Sequence, residues 1–410
     1  MSAPLSFEEA MSRLLGHAEP LDGIETVPLM QADGRVLAEG IVAGMNVPPW
    51  DNAQMDGYAV RAAELAAEPG RVFEVSQRIP AGHQGQPLEA GTVARIFTGA
   101  ALPPGADAIV MQEEAEVTDA GVRFQQVPSA GAWVRRLGED IREGETVLSA
   151  GTRLSPAALG LAASIGAAEL RLHRRPRVAC FFTGDELVMP GEPLPPGGIY
   201  NSNRFVLSAL IRRLGGELED FGIVPDDLAA TRVMLRQAAA KADLIISAGG
   251  VSVGEEDHVR PAVEAEGEID LWRLLLKPGK PLAYGRVRRP SQSGQFAHFI
   301  GLPGNPVSAF VTFLVLVRPF ILKLQGAQAL APQAVTLTSA FEWTRPDPKR
   351  REFLRAVLLP DGRQADLFRN QGSAVLTSTV AGDGLIDNPP GTVIRPGDPV
   401  RFLPFAGLLN

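Results

Sequence analysis

The sequence predicts a multidomain protein of α/β plus β class, and three observations carry that expectation. Its 410 residues exceed the roughly 150 of an ordinary domain, so two or three cores are expected. From residue 177 onward strand-like and helix-like segments alternate, the mark of an α/β unit with a largely parallel sheet. Short β-prone runs broken by Gly and Pro occupy residues 47–147 and the C-terminal stretch after 327, which marks two further β-rich units.

Taken in order, Ser6 and Glu9 fit a capping box, and Phe7, Ala10, Met11, Leu14 and Leu15 then recur at helical spacing. The β-rich stretch is read as strands at 71–75, 93–97, 108–111 and 122–127. Its flanks, 24–42 and 144–172, each mix a strand-like with a helix-like piece and are expected to pack together, with the β-rich unit inserted between them. The α/β unit is read as a strand 178–182, a helix 203–214 capped by Asn203 and closed by Gly215, a strand 217–224, a helix 226–240 capped by Asp226 or Asp227, and a strand 243–247. Strands at 271–276, 282–287 and 297–300 precede a helix from Asn305. The apolar run 307–317, with Ser308 and Thr312 inside it, is expected to be a buried helix, too short to span a membrane before Arg318 and Pro319 interrupt it. The final unit is read as strands at 334–337, 353–359, 375–377, 392–394 and 400–402.

Composition narrows the function classes. Hydrophobic residues at 45% and charged residues at 21% disfavour disorder. A net charge of −8 argues against broad capture of nucleic acid or of an anionic membrane. The lone cysteine, Cys180, excludes an intramolecular disulfide and a thiolate zinc cluster and suits a reducing compartment. Residues 1–9 carry no secretory pattern, and a cytoplasmic location is expected. The five histidines lack ligand spacing, so any metal is expected to be held by oxygen.

In an open parallel sheet ligands bind at the carboxyl ends of the strands, and here the loops at those ends are acidic. Asp185 and Glu186 follow one strand, Asp226 and Asp227 the next, and Glu255, Glu256 and Asp257 close a third loop. Carboxylates gathered in one crevice call for a cation or for protons, and magnesium beside a phosphate-bearing ligand is the natural neutraliser; the plainer alternative makes them helix caps and solvated side chains. Gly249, Gly250, Ser252 and Gly254, with Ser247, offer bare N–H groups and hydroxyls of the kind that cradle phosphates. Lys277 and Lys280 sit on one Pro-Gly turn, and Pro303, Asn305 and Pro306 open a helix whose free N–H groups suit an oxyanion. Rigid turns alone are the competing reading. In the β-rich insert, Asp56 and Gly57 by spacing alone are a hairpin turn. No Ser sits in a nucleophile elbow, and Cys180 lies in an apolar strand as a core residue.

These segments, with residues 55–59, Thr98 and Gly99, and residues 138–142 ahead of 183–187, 247–254, 277–281 and 301–306, resemble the molybdopterin molybdenumtransferase family. This is the bacterial MoeA type, similar to the E domain of gephyrin and to the plant molybdenum-insertion domain. The resemblance implies a discontinuous linking domain at 1–45 and 145–176 and a β-rich inserted domain at 46–144. It further implies a central three-layer α/β/α molybdopterin-binding domain at 177–327 and a C-terminal β-barrel-like domain at 328–410. It implies a homodimer whose sites lie between subunits, so that Asp56, Thr98 and Asp140 complete the partner's site. The implied reaction takes adenylylated molybdopterin and molybdate with Mg²⁺ and yields molybdenum cofactor and AMP. Glu186 and Asp257 would hold the metal, with Asp226 nearby, and the 249–254 loop with Ser247 would hold the pterin phosphate. Likeness points the molybdate pocket to Lys280, Pro281, Ser308, Arg350 and Ser373, with Arg351 an alternative to Arg350. His258 stands next to Asp257, as a ligand contact or as a solvated helix start. Expected partners are a molybdopterin adenylyltransferase and molybdoenzymes or cofactor carriers. A non-catalytic molybdopterin-binding scaffold, and a nucleotide-cleaving enzyme sharing only the central fold, as in competence-damage proteins, are the competing classes.

Overall fold

The structure, a computed structural model, describes residues 4–250, 258–290 and 294–409. Its centre is a six-stranded mixed sheet in the order 217–224, 177–183, 244–248, 296–302, 281–288, 267–273. The first four strands run parallel and the last two antiparallel. Strand Arg177–Thr183 is buried over all but its first residue because helices cover both sheet faces. On one face pack the helices Ser202–Arg213 and Pro306–Leu324, their apolar side chains meeting Val178, Cys180 and Phe182. On the other pack Leu228–Lys241 and Val259–Glu266, against Ala179, Phe181 and Phe299. The result is the expected three layers. Burial pushes the Cys180 thiol up, consistent with an inert core residue.

Helix Pro306–Leu324 is nineteen residues long and 94% buried. It runs through Pro319, contrary to the expected interruption. A π turn at Phe313–Val317 widens the backbone just ahead of the ring, which has no N–H to donate and would crowd an α-helical carbonyl. The first helix, Phe7–Gly16, carries the expected capping box, and its Ala10 and Leu14 enter the central core. Strands Ile24–Pro28 and Glu169–His173 pair antiparallel, as do Ile41–Val42 and Thr146–Leu148, so the chain leaves for the insert and returns along adjacent paths. The insert itself is a six-stranded sheet ordered 108–111, 57–60, 92–96, 72–79, 121–124, 115–118.

The C-terminal unit is a closed five-stranded barrel, 351–358, 364–367, 335–339, 399–404, 384–388, with the last strand pairing back to the first. Two expected strands differ. Residues 375–377 lead into the short helix Thr377–Ala381, and 392–394 contribute only an isolated bridge from Ile394 to Trp343. Strand Gly384–Asn388, unforeseen because its Gly, Asp and Asn read as a turn, is wholly buried and closes the barrel. Two helix starts also move: Asn201, not Asn203, caps Ser202–Arg213, and Asp227 caps Leu228–Lys241, its Oδ1 accepting from the Ala230 N–H at 2.7 Å.

The expected strand 271–276 divides between two sheets. Gly267–Arg273 ends the central sheet, while Leu276–Lys277 pairs in parallel with Arg351 and Glu352 of the barrel. Glu352 is 0% exposed. It accepts from Lys277 Nζ at 2.9 Å, Trp343 Nε1 at 2.7 Å and Asn388 Nδ2 at 3.5 Å, so its charge is paired inside the junction. Replacing Glu352 with Ala should cost about 2–3 kcal/mol in equilibrium denaturation, because Lys277 Nζ and the half-buried Trp343 indole N–H lose their acceptor; an unchanged midpoint would show that the junction does without it.

Candidate active-site crevice

Four loops leave the parallel strands at the same edge of the central sheet. Gly249 N–H donates to the Leu302 carbonyl at 3.2 Å, which joins the third loop to the fourth. Gly249 and Gly250 have φ of +94° and +66°, and a Cβ on Gly250 would lie 2.4 Å from Val259 Cγ2 and 2.7 Å from Thr183 Oγ1. Only glycine fits both the backbone and the space, so this loop lies flat against Thr183. Gly304 approaches it: a Cβ there would lie 3.7 Å from the Gly249 Cα. Asn203 Nδ2 donates to the Gly304 carbonyl at 2.7 Å, so Asn203, freed from capping, fixes the fourth loop.

Of the three acidic loops expected, Asp185 and Glu186 of the first come together with Asp226 of the second, while Glu255, Glu256 and Asp257 of the third lie outside the described residues. Asp227 is spent as a cap, which leaves Asp226 to face the crevice, where it accepts the Asp185 backbone N–H. Burial first, then the charges of Asp185 and Glu186, raise the Asp226 carboxyl above its ordinary range, with His258 opposing them. The Glu186 carboxylate folds back over Gly184, where a Cβ would lie 2.6 Å from its Oε2. His258 stands at the start of helix Val259–Glu266 and makes no capping bond. Ser252, Gly254 and Asp257 lie outside the described residues. Ser247 is 0% exposed, and its Oγ meets no hydrogen-bond partner among the described residues.

A second cluster forms where helix Pro306–Leu324 begins. Asn305 makes no side-chain capping bond; instead the Ser373 carbonyl accepts the Val307 N–H at 3.0 Å. The Lys277 turn packs one helical turn along, where a Cβ on Gly279 would lie 2.7 Å from Thr312 Oγ1 and 3.7 Å from the Ser308 carbonyl. Pro303 and Ser308 are buried, while Pro281 opens its strand half-buried. Lys277 is committed to Glu352; Lys280 is exposed and makes no ion pair among the described residues. Arg350 is bound by Asp347 at 2.6 Å and stays about a third exposed. Arg351 is instead consumed structurally, paired with Asp387 at 2.5 and 2.8 Å and with Glu8, over the Phe7 ring.

Sequence reasoning passed over what holds Ser373. Arg355, 1% exposed, donates to the Gly372 carbonyl at 3.2 Å and to Ser378 Oγ at 3.2 Å. Burial lowers its guanidinium to about 10. Gln371 donates to the Arg355 carbonyl and accepts its N–H, so the 371–373 turn is pinned from both sides. In the insert, the Thr98 N–H and Oγ1–H donate to Asp56 Oδ1 at 2.8 and 2.7 Å, which holds the Asp56 carboxyl below its usual range. Asp140 is exposed, its N–H bound to the Val47 carbonyl at 3.0 Å. Asp56 and Thr98 lie in loops at the ends of the insert's strands 57–60 and 92–96, and Asp140 in a loop after 134–135, none of them on a crevice loop. Among the described residues no three His, Cys, Asp or Glu side chains form a metal-binding group.

Comparison with known proteins follows this division. Residues 5–166 match the MoeA N-terminal region (domain I and II), 179–323 a probable molybdopterin binding domain, and 337–405 the MoeA C-terminal region (domain IV). The chain is 40% identical to a molybdopterin molybdenumtransferase of Haemophilus influenzae over 324 residues, 78% of either chain. It is 38% identical to molybdopterin molybdenumtransferase 2 of Mycobacterium tuberculosis, over 90% of this chain and 91% of that one. The crystal structure of the molybdopterin biosynthesis moeA protein from Pyrococcus horikoshii OT3 superposes over 98% of this chain and 100% of that one, with a TM-score of 0.84 and 27% identity.

The raised Asp226 carboxyl gives a signed test. Its ionisation costs stability at neutral pH, and that cost vanishes below the unfolded carboxylate range. Asp226→Asn keeps an acceptor for the Asp185 N–H. It should therefore unfold at a higher temperature than the parent at pH 7, with the gap shrinking as pH falls toward 4. A pH-independent difference in scanning calorimetry would show that Asp226 carries no such cost.

Proposed function

The chain belongs to the MoeA family of molybdopterin molybdenumtransferases, and on that premise we propose that it transfers molybdenum from molybdate into adenylylated molybdopterin and releases AMP. It is a transferase of molybdenum cofactor biosynthesis. The observation that carries the finer reading is that the acidic loops, the glycine loop and the oxyanion-type helix start meet at one edge of the central sheet.

Each part has a task in that chemistry. The flat Gly249–Gly250 backbone receives the pterin phosphate, because N–H groups without side chains let an anion approach closely. At the helix start, Lys280, Arg350 and the Ser373 turn suit molybdate, a tetrahedral dianion that needs cations beside N–H donors. Pro281, Pro303, Asn305, Pro306 and Ser308 shape that pocket, and Lys277 contributes its backbone more than its committed ammonium. The mutual repulsion of Asp185, Glu186 and Asp226, which form no metal-binding group by themselves, would be relieved by a divalent cation such as Mg²⁺. Glu186 would hold it with Asp257, and Asp226 would stand nearby. When bound, Mg²⁺ supplies charge for the phosphoanhydride oxygens as AMP leaves.

We assign the Asp56–Thr98 pair and Asp140 to the partner subunit's crevice in a homodimer. Support comes from the fixed Asp56–Thr98 pair and from the position of all three in loops of the insert, away from the crevice loops. A cytoplasmic enzyme that receives substrate from a molybdopterin adenylyltransferase, and hands product to a carrier or molybdoenzyme, completes the proposal.

With adenylylated molybdopterin and Mg²⁺, AMP measured by chromatography should appear when molybdate is added. Tight substrate binding without AMP would leave a carrier. Glu186→Ala should lower AMP release at least a hundredfold with little change in unfolding temperature; an equal loss of folding would make Glu186 structural. Heterodimers of Asp56→Ala and Glu186→Ala subunits should regain activity, since one crevice is then intact, whereas no recovery would place each site within one chain.

A further inference from the structure

The strands that end at the crevice begin at another cavity, on the order of 20 Å away along the seven-residue strand Arg177–Thr183. Its volume is about 740 Å³, within the range of sites that enclose small ligands. Five cationic side chains, Arg174, Arg177, Lys241, Arg286 and Arg289, line it with three carboxylates, Glu19, Asp22 and Asp243.

The pairing among these groups is uneven. Asp243, with a side chain 7% exposed, accepts both Nη atoms of Arg174 at 2.7 and 2.9 Å, Arg289 Nη2 at 3.2 Å and the Arg177 N–H at 2.9 Å. One carboxylate thus serves two guanidinium groups and leaves a positive base. Arg286 is satisfied by Glu268 at 2.6 Å and stacks on Phe296. The side chains of Arg177 and Lys241 are exposed and make no ion pair among the described residues. The rings of His17, Phe296 and His298 line it; behind them the buried Tyr284 stacks on His17 at 4.3 Å and its hydroxyl meets His298 Nδ1 at 3.0 Å. His298 senses the local field. Burial first, then His17, Arg286 and Arg289, bring its ring down to about 4, with Asp243 opposing them.

We propose that this cavity is a second anion site, distinct from the crevice, that takes a phosphate-bearing small molecule of mononucleotide size. Arg177 and Lys241 are its charge-assisted donors, the Arg174–Asp243–Arg289 group is its fixed base, and the His17 ring, backed by Tyr284, is its flat wall for a planar ring.

Histidine rings separate this site from the crevice, because His17 and His298 line the cavity while His258 lies by Asp226. The full-length protein, with ring-labelled histidine, is titrated by NMR with AMP and separately with inorganic phosphate. Both probes should shift the His17 and His298 signals saturably, AMP at the lower concentration. In the Arg177→Ala/Lys241→Ala variant the apparent Kd read from those signals should rise at least about tenfold, while the His258 response to AMP stays as in the parent. Shifts confined to His258, or an unchanged Kd at His17 and His298 in the folded double variant, would overturn the proposal.

Discussion

The start of helix Pro306–Leu324 is the constraint on which the rest of the molecule depends. A helix buried over nearly its whole length cannot leave its first N–H groups to bulk water. Here Pro306 has no N–H to satisfy, and Val307 finds the Ser373 carbonyl of the barrel. The same few residues face the Gly249 loop through Gly304 and the Lys277 turn through Thr312 and Ser308. Satisfying one helix end therefore brings the central sheet, the lysine turn and the barrel to one place.

Charge is handled in two ways around this point. Glu352 and Arg355 are buried and Arg351 half-buried, all three are committed to partners, and they hold the junction still. Asp226, Glu186, Lys280 and Arg350 keep exposure and remain available to a ligand. Neighbours in the chain fall on opposite sides of this division: Asp227 caps a helix while Asp226 faces the crevice, and Arg351 is a tie while Arg350 is not.

That division also explains what could be read from the sequence. Strand and helix alternation, the acidic loops and the glycine loop depend on local pattern, and they were legible. So were the capping box at Ser6 and the core position of Cys180. Choices that turn on a single residue were not: Asn201 and Asn203 both suit a cap, and only the position of Gly304 gives the second another task. Arg355 and Glu352 look like surface charges because burial is set by strands far along the chain. Gly384–Asn388 has turn composition, yet barrel closure makes it a buried strand, and a π turn absorbs Pro319 where local rules end a helix. Within the site, the acidic loops of Glu186 and Asp226 and the helix start were expected from their pattern, while the residues that position them were not.

The Leu276–Lys277 strand bears on how this architecture can change over time. It leaves the central unit to pair with the barrel's Arg351 and Glu352, so the two are not interchangeable modules. A barrel severed from its neighbour would bare a strand edge and a buried carboxylate stripped of its lysine, a surface inviting misassembly. Recombination that shuffles the central unit among proteins must carry this strand's partner along or rebuild the edge. Insertions are tolerated more easily at the paired strands near residues 41 and 148, where the chain leaves and returns side by side.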